Sequence, residues 1–139
     1  VSELALIEGF DRDEIFDLLL PYVTVYSTDG VNVNTADATI LKSISPELTS
    51  EDVESIVEQR QSAGYFKDPA AFEDYCKNTL LKSATFNTDP KVPLTTRSNV
   101  FSMTSTAEVK RAQETLRVVV NIDHLLPDGS PEILYWNLK

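Results

Sequence analysis

At 139 residues, with 42% hydrophobic and 24% charged side chains, the chain has the composition of a folded protein with room for one or two small domains. No stretch approaches the roughly 18 consecutive apolar residues of a membrane span, and no signal-peptide pattern opens the sequence. A single cysteine, Cys76, and a single histidine, His124, exclude an internal disulfide, a cysteine zinc site and a histidine-based catalytic pair within these residues. The net charge of −10 is unevenly spread. Residues 1–90 carry 17 Asp/Glu against 6 Lys/Arg, whereas residues 91–139 carry 5 against 6, as expected of two differently built parts.

Ser2 suits the cap of a short helix over 3–8, with Leu4, Leu6 and Ile7 as its apolar positions and Gly9 at its end. Asp11-Arg12-Asp13-Glu14 reads as a capping box opening a second helix, which buries Ile15, Phe16, Leu18, Leu19 and Leu20 and stops at Pro21. Tyr22–Tyr26 is β-branched and aromatic, which predicts a short strand, and Asp29-Gly30 is a turn signal. Asn34 or Thr35 is expected to cap a helix through Ala36–Ser43, with Ile40, Leu41 and Ile44 inward. After Pro46, Thr49-Ser50-Glu51-Asp52 forms another capping box, followed by Val53, Ile56 and Val57 at helical spacing. Gly64 stops that helix, and Asp68-Pro69 opens the next, with Phe72, Tyr75 and Cys76 on its apolar side. Cys76 is expected to be a small core residue.

Character changes near residue 85. Thr, Asn, Asp and Pro dominate 85–99, and three strand-like runs follow at Val100–Val109, Thr115–Ile122 and Glu132–Leu138. Lys110–Glu114 and Pro127–Ser130 are the breaks of an antiparallel meander, with Tyr135 and Trp136 packed on the sheet or on a helix. Leu4-x-x-Ile7-x-Gly9 and Leu41-x-x-Ile44-x-Pro46 hint at a repeat, two helical hairpins each covering the other's apolar side.

The hairpin over 31–72 is of the helix-hairpin-helix kind, a shape that can grip a phosphate backbone. Its tip, Ile44-Ser45-Pro46-Glu47-Leu48, lacks the glycine-rich turn and flanking cations that such a grip needs. Proline removes a backbone donor and glutamate adds a repelling charge. Phosphate binding is therefore disfavoured, and a protein-contact module is expected in its place. The acidic clusters at Asp11–Asp17 and Glu47–Glu54 sit at helix starts, where they favour capping and the helix dipole. Neither has the spacing of a calcium-binding EF-hand loop. No nucleophile–base–acid order and no phosphate loop stands out, so no enzyme activity is expected.

In chain order, Glu3-Leu4 to Ile7-x-Gly9, Leu20-Pro21-Tyr22-Val23-Thr24-Val25, Val31-Asn32-Val33-Asn34-Thr35-Ala36, Ile56-Val57-x-x-Arg60, Gly64-Tyr65-Phe66, Phe72 and the final Ile133-Leu134-Tyr135-Trp136 resemble the minor pseudopilin K family of type II secretion. The Asn-Val-Asn-Thr-Ala segment is shared with DNA-uptake hairpin proteins. The Leu-Pro-Tyr-Val-Thr-Val piece and the meander are what narrow the match. Ser45-Pro46-Glu47 departs from the Pro-Gly turn of many relatives and alters the hairpin tip.

The resemblance implies an α+β fold, in which a helical helix-hairpin-helix (SAM-like) domain precedes an antiparallel β-meander completing a pilin-like sheet. The expected boundaries are 1–85 for the helical domain, 86–95 for a linker and 96–139 for the strands. The motif residues are Gly9, Asn32, Asn34, Thr35, Gly64, Phe66 and Trp136. It further implies a non-enzymatic, periplasmic subunit of an inner-membrane-anchored protein, joined to minor pseudopilins of the I and J types at a pseudopilus tip. A hydrophobic N-terminal helix and preceding strands would lie outside this sequence. Some members bind calcium, with no ligand set legible here. The competing expectations are a DNA-uptake hairpin protein and a type IV pilus minor component or tip adhesin.

Overall fold

A computed structural model describes residues 2–10, 12–26, 30–82, 93–110 and 112–139. The expected Asp11 cap, Asp29 of the turn and residues 86–92 of the linker lie outside the described residues, as does the side chain of Ser2. The fold mixes helix and sheet. A 3-10 turn at Ser2–Leu6 precedes helix α1 (Asp13–Leu19), and a second turn follows at Leu20–Tyr22. Strand β1 (Val31–Asn32), helices α2 (Ala38–Ile44), α3 (Ser50–Ser62) and α4 (Pro69–Asn78), and strand β2 (Leu94–Thr95) come next. Strands β3 (Val100–Val109), β4 (Ala112–Leu125) and β5 (Pro131–Leu138) complete the chain.

Local chemistry explains the starts of the three central helices. The Asp37 carboxylate accepts from the Ile40 N–H at 2.8 Å and opens α2. Thr49 and Asp52 form a reciprocal capping box at α3, and Asp68 accepts from the Ala71 N–H at 2.8 Å, with Pro69 next, at α4. Each such cap is worth about 1 kcal/mol. Gly64 follows α3 with φ +98°, a left-handed conformation that suits glycine at a helix end.

The helices enclose one core of Val33, Leu41, Ile44, Leu48, Val53, Ile56, Phe66, Phe72 and Cys76. The Phe66 ring meets Phe72 edge-on at 5.3 Å and Tyr75 tilted at 5.6 Å. Burial raises the Cys76 thiol pKa to about 12, so the thiol is inert, in line with the core role expected of it. β1 and β2 pair in parallel, the Val31 N–H donating to the Pro93 carbonyl and the Val33 N–H to the Thr95 carbonyl, both at 2.9 Å. Gly30 is required at this crossing. Its φ is +151°, and a Cβ there would run into the Pro93 carbonyl.

The three later strands form the expected antiparallel meander in the order β3-β4-β5. β3 and β4 stay in register from Val100↔Asn121 to Val109↔Ala112. β5 carries an irregularity opposite Val119/Val120.

Several sequence expectations fail here for physical reasons. α2 starts at Ala38 and is capped by Asp37, because the side chain of Asn34 is committed to Phe66 and Thr96 and the Thr35 and Ala36 N–H groups turn back to the Asn32 carbonyl. Tyr22–Tyr26 forms no strand: Pro21 and Tyr22 belong to the 3-10 turn, and the described residues after it pair with no strand. The break foreseen at Lys110–Glu114 shrinks, since Gln113 and Glu114 pair with Glu108 and Ala107. Among the described residues of 2–26 no side chain is buried, so the first helical segment does not share the core of the second. Trp136 is 66% exposed instead of packed.

Candidate functional site: a protein-contact module

The Val31–Ala36 segment is a polar clamp facing inward. Its Asn34 carboxamide behaves like a peptide group. The oxygen accepts from the Phe66 N–H at 2.9 Å, and the nitrogen donates to the Phe66 carbonyl at 2.9 Å and to the Thr96 carbonyl at 3.3 Å. The Asn32 Oδ1 accepts from the Asn34 N–H at 3.0 Å, while its Nδ2 donates to Ser98 Oγ at 2.8 Å. The Asn32 carbonyl holds the Thr35 and Ala36 N–H groups. Arg60, the single cation of α3, donates from Nη1 to the carbonyls of Val33 and Ala36, both at 3.0 Å. Burial lowers its pKa from the ordinary arginine value.

Four of the seven motif residues foreseen from sequence, Asn32, Asn34, Thr35 and Phe66, therefore meet in one network. Gly64 lies two residues from Phe66 at the end of α3. Gly9 stands apart in a turn with φ +93° and open space around it, and Trp136 lies on β5. Sequence reasoning assigned no role to Arg60, Thr96 or Ser98. A lone basic residue in an otherwise acidic helix was the available signal for Arg60.

The hairpin tip between α2 and α3 is chemically closed. Ser45 is buried; its Oγ accepts from the Glu47 N–H at 3.3 Å and its carbonyl accepts from the Leu48 N–H at 3.2 Å. The Thr49 N–H donates to Asp52 Oδ2 at 2.8 Å, and Pro46 has no N–H at all. The donors that would meet a phosphate are thus already used inside the protein, and Glu47 stands exposed beside them. Lys82 bonds Asp52 at 3.0 Å and fastens the end of α4 to the start of α3. Burial by itself raises the Asp52 carboxyl pKa, but the Thr49 N–H, the Lys82 ammonium and the Thr49 hydroxyl together pull it below the ordinary aspartate value.

Residues 31–97, just under half of the chain, match the family model described as Type II secretion system (T2SS), protein K. Over those residues the chain is similar to the protein K family. A comparison with curated proteins finds no match. The protein K match spans β1 to just beyond β2, which takes in the whole enclosed core and the Asn34–Arg60 clamp. The likeness supports a role in type II secretion, and what the chain contacts is a matter of its surfaces.

An apolar surface lies on the meander. Residues paired directly across an antiparallel ladder share a face. Phe101↔Val120↔Ile133 and Met103↔Val118↔Trp136 therefore line up on one side, beside Leu116↔Leu138. Of these, Phe101, Met103, Ile133, Trp136 and Leu138 are exposed, while Val120 among them is buried. On the opposite side Val119 is buried, and a cleft there is lined by residues 20 and 23–26 together with Val100, Arg117 and Tyr135. Among the described residues no helix is long and apolar enough to cross a membrane. Nor does any group of three or more His, Cys, Asp or Glu side chains among them stand where it could hold a metal ion.

Proposed function

We propose that this chain works as a minor pseudopilin at the tip of the type II secretion pseudopilus, by subunit docking and without catalysis. The observation that carries the reading is the uncovered apolar face of the β3–β5 sheet. An exposed patch of large side chains in register, Phe101, Met103, Ile133, Trp136 and Leu138, is an interaction surface in waiting. β3 adds an open backbone edge. It runs unbulged over Val100–Val109, with Glu108 as its one charge, whereas β5 begins with Pro131-Glu132 and is broken by its irregularity. Edges left without proline, lysine or bulges are the ones that accept another strand. In a pilin-like subunit an upstream strand would add along β3, completing the sheet.

On this reading the helical unit, a helix-hairpin-helix (SAM-like) domain whose core lies within residues 31–97 and is closed by the β1–β2 pair, caps the fibre. The protein is anchored in the inner membrane and faces the periplasm, with pseudopilins of the I and J types as neighbours. The nucleic-acid alternative is disfavoured by the consumed donors of the hairpin tip and by the acidic charge of residues 1–90. The test is Met103→Asp with Trp136→Asp in the full-length protein in secreting cells. Secretion and cross-linking to the I and J subunits should fall, while the purified chain carrying both changes melts as the parent does. Unimpaired secretion, or salt-sensitive binding of the parent chain to duplex DNA, would overturn the reading.

A further inference from the structure

A second surface lies in the helical unit, away from the sheet. α2 and α3 diverge over a furrow of about 480 Å3, lined by Ala38, Thr39 and Lys42 on one wall and Val53, Glu54, Val57 and Glu58 on the other. Val53 is buried and Val57 half-buried, so the floor is aliphatic and continuous with the core. Lys42 closes one end by donating to Ser50 Oγ at 3.0 Å. The rim is acidic: Glu54 and Glu58, one helical turn apart, are exposed, and the ion pairs among the described residues, Lys67–Asp68 and Lys82–Asp52, involve neither.

From this we propose that the α2–α3 furrow receives a segment of a partner protein that presents an aliphatic or aromatic side chain with a lysine or arginine one turn away. The apolar side chain fills the floor over Val53 and Val57, and the cation reaches the Glu54–Glu58 rim. Apolar anchors supply affinity at such grooves, while rim charges set partner choice and association rate. A second copy of this chain is the less suitable occupant, because two bodies of net charge −10 repel one another. The proposal is independent of the sheet face, and the residues tested are distinct from those of the secretion experiment.

The probe is a synthetic helical peptide with leucines and lysines at i, i+4 spacing, titrated into the purified chain and followed by amide NMR shifts. Controls are a leucine-to-serine version and a glutamate version. The leucine–lysine peptide should shift residues 38–58 selectively and weaken with salt. Glu54→Lys with Glu58→Lys, or Thr39→Trp to fill the furrow, should weaken it about tenfold, about 1.4 kcal/mol, while leaving the fold intact by circular dichroism. Equal binding of the serine peptide, shifts spread evenly over the acidic helices, or affinity untouched by both variants would each overturn the proposal. So would self-association of the chain that Thr39→Trp abolishes.

Discussion

Within the helical unit Phe72, Leu41 and Ile56 are wholly shielded, whereas on the sheet Trp136, Met103 and Ile133 stand largely in solvent. The two regions have similar apolar side chains and opposite burial. The helices close on each other and need nothing further, while a three-stranded sheet has two faces and covers at most one of them with residues 20–26. An enclosed core carries stability, and an open apolar face is where the proposed contact would be made.

That contrast can be broken by substitution, beginning with the greatest loss. Phe72→Ala empties the centre of the core and should cost about 3–5 kcal/mol in urea unfolding. Gly30→Ala sets a methyl group against the Pro93 carbonyl at positive φ. It should cost about 3 kcal/mol and loosen the β1–β2 pairing, seen as faster exchange of the Val31 and Val33 amides. Asn34→Ala strips the Phe66 N–H and carbonyl and the Thr96 carbonyl of their partner. A loss of about 1–3 kcal/mol in thermal unfolding is expected, and a smaller one would count against the clamp.

Asp52→Asn weakens the capping box and the Lys82 pair by about 1 kcal/mol at neutral pH. Because the folded Asp52 pKa lies below its ordinary value of 3.8, its contribution is present above that value and lost as pH falls through the folded pKa. Parent and variant should therefore converge as the pH falls below that ordinary value and through the lower folded one. Trp136→Ala should change the stability of the purified chain by no more than about 0.5 kcal/mol. A larger loss would mean that the ring is covered after all.

The features legible in the sequence are those whose chemistry is local. The Thr49–Asp52 box and the Asp68-Pro69 start involve partners three residues apart, and the meander follows from alternation and a Pro-Asp-Gly turn. Asn34 was recognised as a motif residue but misread as a cap, since its partners at Phe66 and Thr96 lie 32 and 62 residues away and no local pattern names them. Trp136 was misread for another reason: an apolar strand position says which side chains want cover, not whether anything lies over them. The same blindness hid the α2–α3 furrow, which depends on how two helices diverge.

The pairing of Val31 with Leu94 means that the chain enters and leaves the helical unit through a single doorway. Adjacent entry and exit points are what allow a folded unit to be spliced into a host without stretching it. Residues 31–97 should therefore behave as a portable cassette, able to fold when grafted into a tight surface turn of an unrelated protein.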